Sequence, residues 1–253
     1  MAFIDKHAVI TGGANGIGRF IATAFLREGA AVTMIDMDKG AGECFAAQHE
    51  NLRFFHGDIA EKSVLDACFR ALTHPVDCLI HNACMSHGGI LSSCSYEDFA
   101  YIQRVGVTAP YYLTSLLLQN DLLAKDASIV NIASTRAFQS QSDTESYSAA
   151  KGGILALTHA LAISLAGRVR VNAISPGWID CDIVENISVS ELDNTQHPVG
   201  RVGTASDIAE MVLFLCSDKA GFITGENIVI DGGMSKLMVY HGDNGWQFDR
   251  SEV

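Results

Sequence analysis

The sequence predicts an α/β fold in which a doubly wound parallel sheet of about seven strands carries helices on both faces. Short apolar and β-branched runs alternate along the chain with segments of helix length. These runs are apolar throughout instead of alternating with polar residues, which is typical of parallel strands buried on both faces. A chain of 253 residues that is 48% hydrophobic can form such a core without disulfides or a structural metal.

The predicted strands are the short apolar runs, and the helices fill the segments between them. The strand candidates are His7–Thr11, Ala31–Asp36, Leu52–His56, Val76–His81, Ser128–Ala133, Val169–Ile174 and Asn227–Ile230. The helix candidates are Gly16–Glu28, Ser63–Leu72, Tyr96–Leu118, Tyr147–Ala166 and Ser206–Cys216. Pro110 falls inside the third predicted helix, where it either kinks that helix or begins a new one.

The sequence has no linker, repeat or low-complexity segment, so we expect one domain over residues 1–233. Residues 234–253 follow the last strand as a polar tail that carries Trp246 and Phe248. This tail either packs on a neighbouring subunit or frays.

The chain is acidic, with 17 basic and 29 acidic residues and a formal net charge of −12. Such a surface repels phosphate backbones and anionic lipid, so we expect neither nucleic acid nor a membrane as a partner. Seven scattered cysteines without a C-x-x-C pair argue against a disulfide framework or a zinc ribbon. We expect no catalytic metal, because no His, Asp and Glu set has metal-ligand spacing. Without a signal-peptide pattern or a membrane-spanning stretch, the sequence predicts a cytoplasmic protein.

A glycine-rich turn follows the first strand directly and opens the first helix, with the sequence Thr11-Gly12-Gly13-Ala14-Asn15-Gly16-Ile17-Gly18. Its glycines let the backbone turn tightly and approach a pyrophosphate, although a plain strand-to-helix turn has the same composition. Asp36 ends the second strand, where a carboxylate can accept hydrogen bonds from ribose hydroxyls and repel a 2′-phosphate. Neither Asn15 nor Met37 supplies a cation for such a phosphate. The sequence therefore predicts NAD(H) in preference to NADP(H).

Tyr147 and Lys151 lie four residues apart on a predicted helix, so both side chains project from one face. The ammonium can then favour the ionised form of the phenol. This spacing alone is weak evidence, because chance would also produce it. Ser134 strengthens it, because this serine lies just past an apolar strand, at the carboxyl edge where doubly wound sheets bind ligands.

Together these features resemble the short-chain dehydrogenase/reductase family of Rossmann-like enzymes, from the first strand to Asp231-Gly232-Gly233. The family's T-G-x-x-x-G-x-G matches Thr11, Gly12, Gly16 and Gly18, its Y-x-x-x-K matches Tyr147 and Lys151, and its serine matches Ser134. The resemblance implies further cofactor contacts from Asn15 and Ile17 in the turn, Asp58 and Ile59 near the adenine, Asn82 and Ala83 beside the sheet, and Pro176, Gly177 and Ile179 around the nicotinamide.

The resemblance also implies an oxidoreductase that transfers hydride between NAD(H) and a secondary alcohol or ketone. Tyr147 would be the general base or acid, Ser134 would hold the substrate oxygen, and Lys151 would also bind the nicotinamide ribose. Family habit implies a homotetramer or homodimer built on the helices Tyr96–Leu118 and Tyr147–Ala166. The alternative is a nucleotide-binding sensor or scaffold that keeps the fold but has lost efficient chemistry.

A substrate lid would lie at about residues 178–199. This segment is short and rich in Asp, Glu and Asn, which favours a compact polar substrate over a large flat apolar one. Gln139, Gln141 and Glu145 are candidates for a polar wall of the pocket, and Trp178 is a candidate for stacking on a ring.

Three positions depart from the family pattern. Gly106 stands where the family has an asparagine that holds a water in the proton relay to the lysine. Either the water contacts the backbone directly or the relay is altered; a structural interpretation is that the glycine relaxes the helix before Pro110. The N-N-A-G motif of the family reads His81-Asn82-Ala83-Cys84, and Cys181 replaces a threonine that contacts the nicotinamide amide. We expect Cys84 and Cys181 to be small buried fillers.

Overall fold

A computed structural model of the chain describes residues 1–181 and 189–240. The strands in this part of the chain are β1 (His7–Thr11), β2 (Ala31–Asp36), β3 (Leu52–His56), β4 (Val76–His81), β5 (Leu123–Ile132), β6 (Val169–Pro176), β7 (Ile179–Asp180), β8 (Gly203–Thr204) and β9 (Asn227–Ile230). Seven of them form one parallel sheet in the order β3-β2-β1-β4-β5-β6-β9, while β7 and β8 pair separately. The predicted fold class is confirmed.

Helices cover both faces of the sheet. They are α1 (Gly16–Arg27), α2 (Lys39–Ala46), α3 (Lys62–Ala71), α4 (Tyr96–Gln103), α5 (Ala109–Gln119), α6 (Glu145–Ser164), α7 (Glu191–Thr195) and α8 (Ala205–Cys216). A π-helical segment, Arg104–Thr108, joins α4 to α5. The apolar core therefore has two parts, one on each face of the sheet. Helices α1 and α8 pack together on one face, and α3, α5 and α6 bury their apolar side chains on the other.

The central strands are buried on both faces, as their uniformly apolar composition predicts. Ala8, Val9 and Ile10, three consecutive residues of β1, have no exposed surface. Five of the seven predicted strands have the predicted bounds. The fifth begins earlier, at Leu123, and the sixth ends later, at Pro176.

Two helical predictions are wrong in detail. The long helix predicted over Tyr96–Leu118 is divided by the π-helical segment, and Pro110 lies in the first turn of α5, so the proline begins a helix. Helix α2 was not predicted, because its sequence carries Gly40 and Gly42, which disfavour helix. Gly42 is needed for packing, since a Cβ there would overlap the ring of Phe54.

The topology creates a switch point between β1 and β4, where the chain leaves neighbouring strands in opposite directions. Thr11 pairs in register with His81, and Ile132 pairs with Ile174, so the carboxyl ends of four strands meet at one edge. Doubly wound sheets bind ligands at such an edge.

Part of the predicted lid and tail lies outside the described residues. This applies to residues 182–188 of the predicted lid and to residues 241–253 of the predicted tail, including Trp246 and Phe248. Within the described ranges, no helix is both long enough and apolar enough to cross a membrane.

Candidate active site

The turn between β1 and α1 requires glycine at three positions. Gly12 and Gly16 have φ values of +67° and +55°, in the left-handed region that residues with a Cβ avoid. A Cβ on Gly12 would lie 2.8 Å from the Cα of Ala83, and a Cβ on Gly18 would overlap the carbonyl oxygen of Gly12. The bare backbone therefore passes close to the amino end of α1, whose first N–H groups have no helical partners. Such a cradle fits a phosphate group.

Asn82, directly after β4, fixes this turn against the sheet. Its side-chain amide donates to the carbonyl oxygens of Thr11 and Gly12 at 3.2 and 2.8 Å. The hydroxyl of Thr11 in turn accepts the backbone N–H groups of Asn82 and Ala83 at 3.1 and 3.2 Å. These four bonds hold both sides of the switch point at a fixed separation.

Asp36, at the end of β2, faces the glycine turn. Its carboxylate accepts the backbone N–H of Ala14 at 2.9 Å and that of Asp38 at 3.0 Å. The side chain of Asn15 donates to the carboxylate of Asp38 at 2.9 Å. Neither carboxylate forms an ion pair within residues 1–181 and 189–240. Each oxygen of Asp36 keeps a lone pair that can accept a ligand hydroxyl.

Asp58 and Ile59 follow β3, further along the same edge. The carboxylate of Asp58 accepts the backbone N–H of Ala60 and the hydroxyl of Tyr101, both at 2.8 Å. Burial, together with the hydrogen bond to Asp58, raises the pKa of Tyr101 to about 12, so its phenol stays protonated and keeps donating at neutral pH. Sequence reasoning missed Tyr101, because only the fold brings α4 to β3.

Ser134 lies two residues beyond β5 and is almost fully buried. Its hydroxyl oxygen accepts the backbone N–H of Arg136 at 3.2 Å and so caps the short 3-10 turn Thr135–Ala137. This bond orients the hydroxyl while leaving its proton for a ligand oxygen.

Tyr147 and Lys151 lie one turn apart on α6, as predicted. The Nζ atom of Lys151 is 5.5 Å from the centroid of the Tyr147 ring and donates to the carbonyl oxygen of Ile132 at 2.6 Å. Lys151 is only 4% exposed. The carbonyl group at the end of β5 thus holds the buried Lys151 side chain beside the Tyr147 ring.

A cavity of about 590 Å³ opens at the carboxyl ends of β4, β5 and β6. Ser134, Tyr147 and Lys151 line it together, and so do the predicted cofactor residues Ile17, Asn82, Pro176, Gly177 and Ile179. The other predicted cofactor residues lie along the same edge of the sheet but do not line the cavity: Thr11, Gly12, Asn15, Gly16, Gly18, Asp36, Asp58, Ile59 and Ala83.

The rest of the cavity wall was predicted only in part. Gln141 and Trp178 line it, as expected, whereas Gln139 and Glu145 do not. The lining residues that were not predicted as site residues are Ile132, Ala133, Thr135, Arg136 and Met234, whereas Gln196 belongs to the segment 178–199 predicted as a substrate lid. The position of Arg136, two residues after the serine, was an available signal. Met234 reaches the cavity only through the fold.

Comparisons with known proteins agree with this geometry. A family model described as enoyl-(acyl carrier protein) reductase matches residues 12–235. The chain belongs to the short-chain dehydrogenase/reductase family. Members of this family are oxidoreductases that transfer hydride between a nicotinamide cofactor and CH–OH or ketone groups, and this coarse description holds for the chain.

Similar short-chain dehydrogenases/reductases span nearly the whole chain. An uncharacterized oxidoreductase of Thermotoga maritima is 39% identical over 250 residues, which cover 93% of this chain and 98% of that protein. The structure of an apo SCOR enzyme from Clostridium thermocellum is 47% identical, with a TM-score of 0.89 and coverage of 97% and 99%. A 3-ketoacyl-(acyl-carrier-protein) reductase from Brucella melitensis, complexed with NADH, is 31% identical, with a TM-score of 0.84 and coverage of 92% and 99%.

Gly106, where the short-chain dehydrogenase/reductase family has asparagine, lies in the π-helical segment. A Cβ at this position would lie 2.8 Å from the Cβ of Ala150, which is closer than two such carbons approach. Ala150 is on α6 between Tyr147 and Lys151. A larger side chain at position 106 would therefore displace the helix that carries both residues. This is a packing reason for the glycine, and it differs from the predicted relaxation of the helix before Pro110.

The prediction that both departing cysteines are buried fillers is wrong. Cys84 is exposed and lines the cavity, because the chain turns outward directly after β4 at the edge where the cavity opens. Cys181 is partly buried, and its thiol donates to the carbonyl oxygen of Ile179 at 3.7 Å.

Proposed function

We propose that the chain is an NAD-dependent dehydrogenase or reductase that interconverts a secondary alcohol and a ketone, with Tyr147 as the general acid and base. The observation that carries this proposal is that Ser134, Tyr147 and Lys151 line a single cavity. A protein that only binds a nucleotide needs no such set. This separates the proposal from the alternative of a sensor or scaffold.

The side chains divide the proton chemistry between them. During oxidation of an alcohol, the Tyr147 phenolate takes the hydroxyl proton while the carbinol C–H bond breaks; during reduction, the phenol returns that proton to the carbonyl oxygen. Ser134 donates a hydrogen bond to the same oxygen. In this proposal the Nζ atom of Lys151, 5.5 Å from the centroid of the Tyr147 ring, attracts the negative charge that develops on the phenol oxygen in the transition state. When bound, the nicotinamide supplies the acceptor or donor of the hydride.

The residues at the switch point fit a nicotinamide dinucleotide. A Cβ at Gly12 would collide with Ala83, and a Cβ at Gly18 would collide with the carbonyl group of Gly12, so only glycine permits the tight turn that we propose binds the pyrophosphate. In this proposal Thr11, Asn15, Gly16 and Ile17 belong to the same phosphate-binding turn. The proposed neighbours of the adenine are Asp58 and Ile59, those beside the central part of the cofactor are Asn82 and Ala83, and those of the nicotinamide are Pro176, Gly177 and Ile179, with Lys151 on its ribose.

Asp36 supports NAD(H) over NADP(H). Its carboxylate faces the turn without a cationic partner among the described residues, so a 2′-phosphate would meet an uncompensated negative charge. A ribose with both hydroxyls would find two acceptor oxygens instead. The Brucella melitensis relative complexed with NADH is consistent with this choice.

The proposal includes a homodimer or homotetramer built on α4, α5 and α6. Tyr96 and Ile163, on α4 and α6, are apolar side chains exposed by 82% and 78%, and Tyr111 on α5 is exposed by 55%. Burial of such side chains between subunits is favourable, at about 25 cal/mol per Å² of apolar surface.

The experiment mixes the purified protein with NAD⁺ or NADP⁺ and a panel of secondary alcohols, and follows the absorbance band of the reduced nicotinamide. We expect turnover with at least one alcohol, at least tenfold faster in kcat/KM with NAD⁺ than with NADP⁺. A protein that binds NADH tightly but oxidises none of the alcohols and reduces none of the matching ketones would be the sensor or scaffold instead.

A further inference from the structure

The charge of the cavity differs from that of the chain as a whole. The chain has 29 acidic and 17 basic residues, yet the charged side chains among the described lining residues are both cations, Arg136 and Lys151. Within the described ranges, no aspartate or glutamate lines this cavity. The described part of the cavity wall therefore carries positive charge on an acidic protein, which favours a negatively charged ligand group.

The ammonium group of Lys151 already has a hydrogen-bond partner within the protein. Its Nζ atom donates to the carbonyl oxygen of Ile132 at 2.6 Å, the side chain is 4% exposed, and its charge lies beside the Tyr147 ring. The substrate pocket therefore depends on Arg136 for a cation that a ligand can reach.

Arg136 lacks an anionic partner within the part of the chain that the structure describes. Its guanidinium donates to the side-chain oxygen of Gln141, which is a neutral acceptor. The two acidic residues of the neighbouring loop are engaged elsewhere: Asp143 accepts the N–H groups of residues 91 and 92, and Glu145 accepts that of Ile90. A guanidinium has five N–H donors, so most of those of Arg136 are left for a ligand.

Arg136 also stands beside the reacting groups. Its Cζ atom is 5.7 Å from the centroid of the Tyr147 ring, and its backbone N–H donates to the hydroxyl of Ser134 at 3.2 Å. The Arg136 side chain therefore lines the same cavity as Ser134 and Tyr147 and lies close to the Tyr147 ring.

We propose that Arg136 binds an anionic group of the substrate, so that the substrate is a hydroxy acid or the corresponding oxo acid. This inference rests on the proposed function, because it names the substrate class of the same site. Arginine suits the task, since its planar fork matches the two oxygens of a carboxylate and stays charged at all relevant pH values. Sulfonate and phosphonate groups offer the same chemistry, and the test separates them from carboxylate.

The test uses the full chain with NAD⁺ and three secondary hydroxy acids, lactate, β-hydroxybutyrate and γ-hydroxyvalerate, each paired with its methyl ester. Sulfonate and phosphonate analogues of the best acid form a further arm. The variants are Arg136→Gln and Arg136→Lys. The matched control is Arg70→Gln, an exposed arginine of α3 outside the cavity. Melting temperatures show whether the variants fold, and Arg136→Lys keeps the test valid if the glutamine variant does not.

We expect the unmodified protein to prefer an acid over its ester by at least tenfold in kcat/KM. Arg136→Gln lowers this preference by about 10- to 100-fold, mainly through KM for the acid, because a hydrogen-bonded charge pair is lost. Arg136→Lys gives an intermediate preference, since an ammonium lacks the bidentate fork. Arg70→Gln leaves the preference unchanged.

Two results would overturn the inference: an ester that is used as well as its acid, or an Arg136→Gln variant that loses acid and ester equally. The second result would assign Arg136 to the support of Tyr147 or of the loop at Gln141.

If no alcohol in any panel reacts, the proposed function fails. Calorimetry then decides the inference separately, because the oxo acid must bind the NADH-loaded protein more tightly than it binds NADH-loaded Arg136→Gln.

Discussion

Asp36 is the residue on which the proposed cofactor preference depends. Both of its carboxylate oxygens accept backbone N–H groups, so substitution by alanine would disturb the turn as well as the charge. Asp36→Asn removes the charge and keeps one acceptor oxygen. We expect the preference of kcat/KM for NAD⁺ over NADP⁺ to fall by about tenfold or more, because the repulsion of the 2′-phosphate disappears.

The matched control is Asp38→Asn. Asp38 lies next to the same turn but is engaged with Asn15 and with the amino end of α2. Steady-state kinetics with both cofactors should show a change for Asp36→Asn and little change for Asp38→Asn. Equal effects of the two substitutions would mean that the local charge, and not Asp36 itself, sets the preference.

His81 gives the protein a pH-dependent stability. It is buried at the end of β4 with Nε2 at 3.1 Å from the hydroxyl of Thr114, while Nδ1 has no partner among the described residues. Burial lowers its pKa to about 3, from about 6.5 for an exposed histidine. Between these values the unfolded state binds the proton and the folded state does not, so stability falls as the pH falls.

We therefore expect the titration of His81 to lower the free energy of unfolding by about 2 kcal/mol when the pH falls from 7 to 5. His81→Asn, which introduces the residue of the family motif, removes this titration. Urea unfolding of both proteins at the two pH values measures the difference between their losses. If the free energy of unfolding falls by the same amount in the unmodified protein and in the variant over this interval, His81 does not cause the pH dependence.

Individual residues show where sequence reasoning stops. Ser134, Tyr147 and Lys151 could be predicted to converge, because each follows from its position on a strand end or helix face. Tyr101 could not be predicted to join the site, because it lies near neither a strand end nor a motif. Cys84 was misjudged because the burial of a small apolar side chain depends on where the cavity opens.

At the scale of elements, the contact between the π-helical segment and α6 is tightly packed. A Cβ on Gly106 would lie 2.8 Å from the Cβ of Ala150. One turn further along α6, a Cβ on Gly153 would lie 2.9 Å from Cγ2 of Val107. Small residues thus let the two helical elements pack tightly beside Tyr147. We infer that this contact sets the position of α6 relative to β5.

We expect Gly106→Ala to lower the free energy of unfolding by about 1–3 kcal/mol, because the added Cβ overlaps that of Ala150. Turnover should fall as well, since α6 shifts between Tyr147 and Lys151. The double variant Gly106→Ala with Ala150→Gly should recover part of both losses. Urea unfolding and steady-state kinetics measure them.

Gly152→Ala is the matched control on the same helix. A Cβ there would have only the carbonyl oxygen of Ala137 nearby, at 3.9 Å. We expect this substitution to stabilise the protein by about 0.5–1 kcal/mol, because alanine is the better helix former. If Gly106→Ala were as stable as Gly152→Ala, the contact with Ala150 would not be the reason for the glycine.

The elements also differ in how far the sequence predicts them. Strand bounds follow from short runs rich in apolar and β-branched residues, so β1 to β4 and β9 were predicted correctly. The division of the Tyr96–Leu118 helix could not be predicted, because a π-helical turn has no composition of its own and arises from packing on α6. Helix α2 was missed because its glycines serve a contact with Phe54 that only the folded chain reveals.

At the scale of the whole molecule, the proposed assembly makes a prediction that needs no substrate. Light scattering should give a mass two or four times 27.1 kDa. Tyr111→Arg should lower that mass, because it places a charge on the helical face proposed as the interface. Ile4→Arg, at an exposed apolar residue outside the helices, is the control. A mass of one chain for the unmodified protein would contradict the proposed assembly.

The net charge and the length of the chain predict less about its function than its sequence motifs do. The acidity of the chain predicted poor affinity for nucleic acid and membranes, but it did not indicate that the charged side chains among the described lining residues of the cavity would both be cations. That local reversal arises because Arg136 and Lys151 are brought together by β5 and α6 from positions fifteen residues apart in the sequence. Average composition does not contain such information.

The central claim is that Tyr147 transfers the substrate proton in an NAD-dependent reaction, and Tyr147→Phe tests it most directly. The measurement is the rate of NADH formation from NAD⁺ and the best alcohol, together with the affinity of the same variant for NADH. We predict that turnover is lost while the affinity for NADH changes less than threefold, since the phenylalanine ring keeps the packing and lacks only the hydroxyl. Turnover close to that of the unmodified protein would contradict the account.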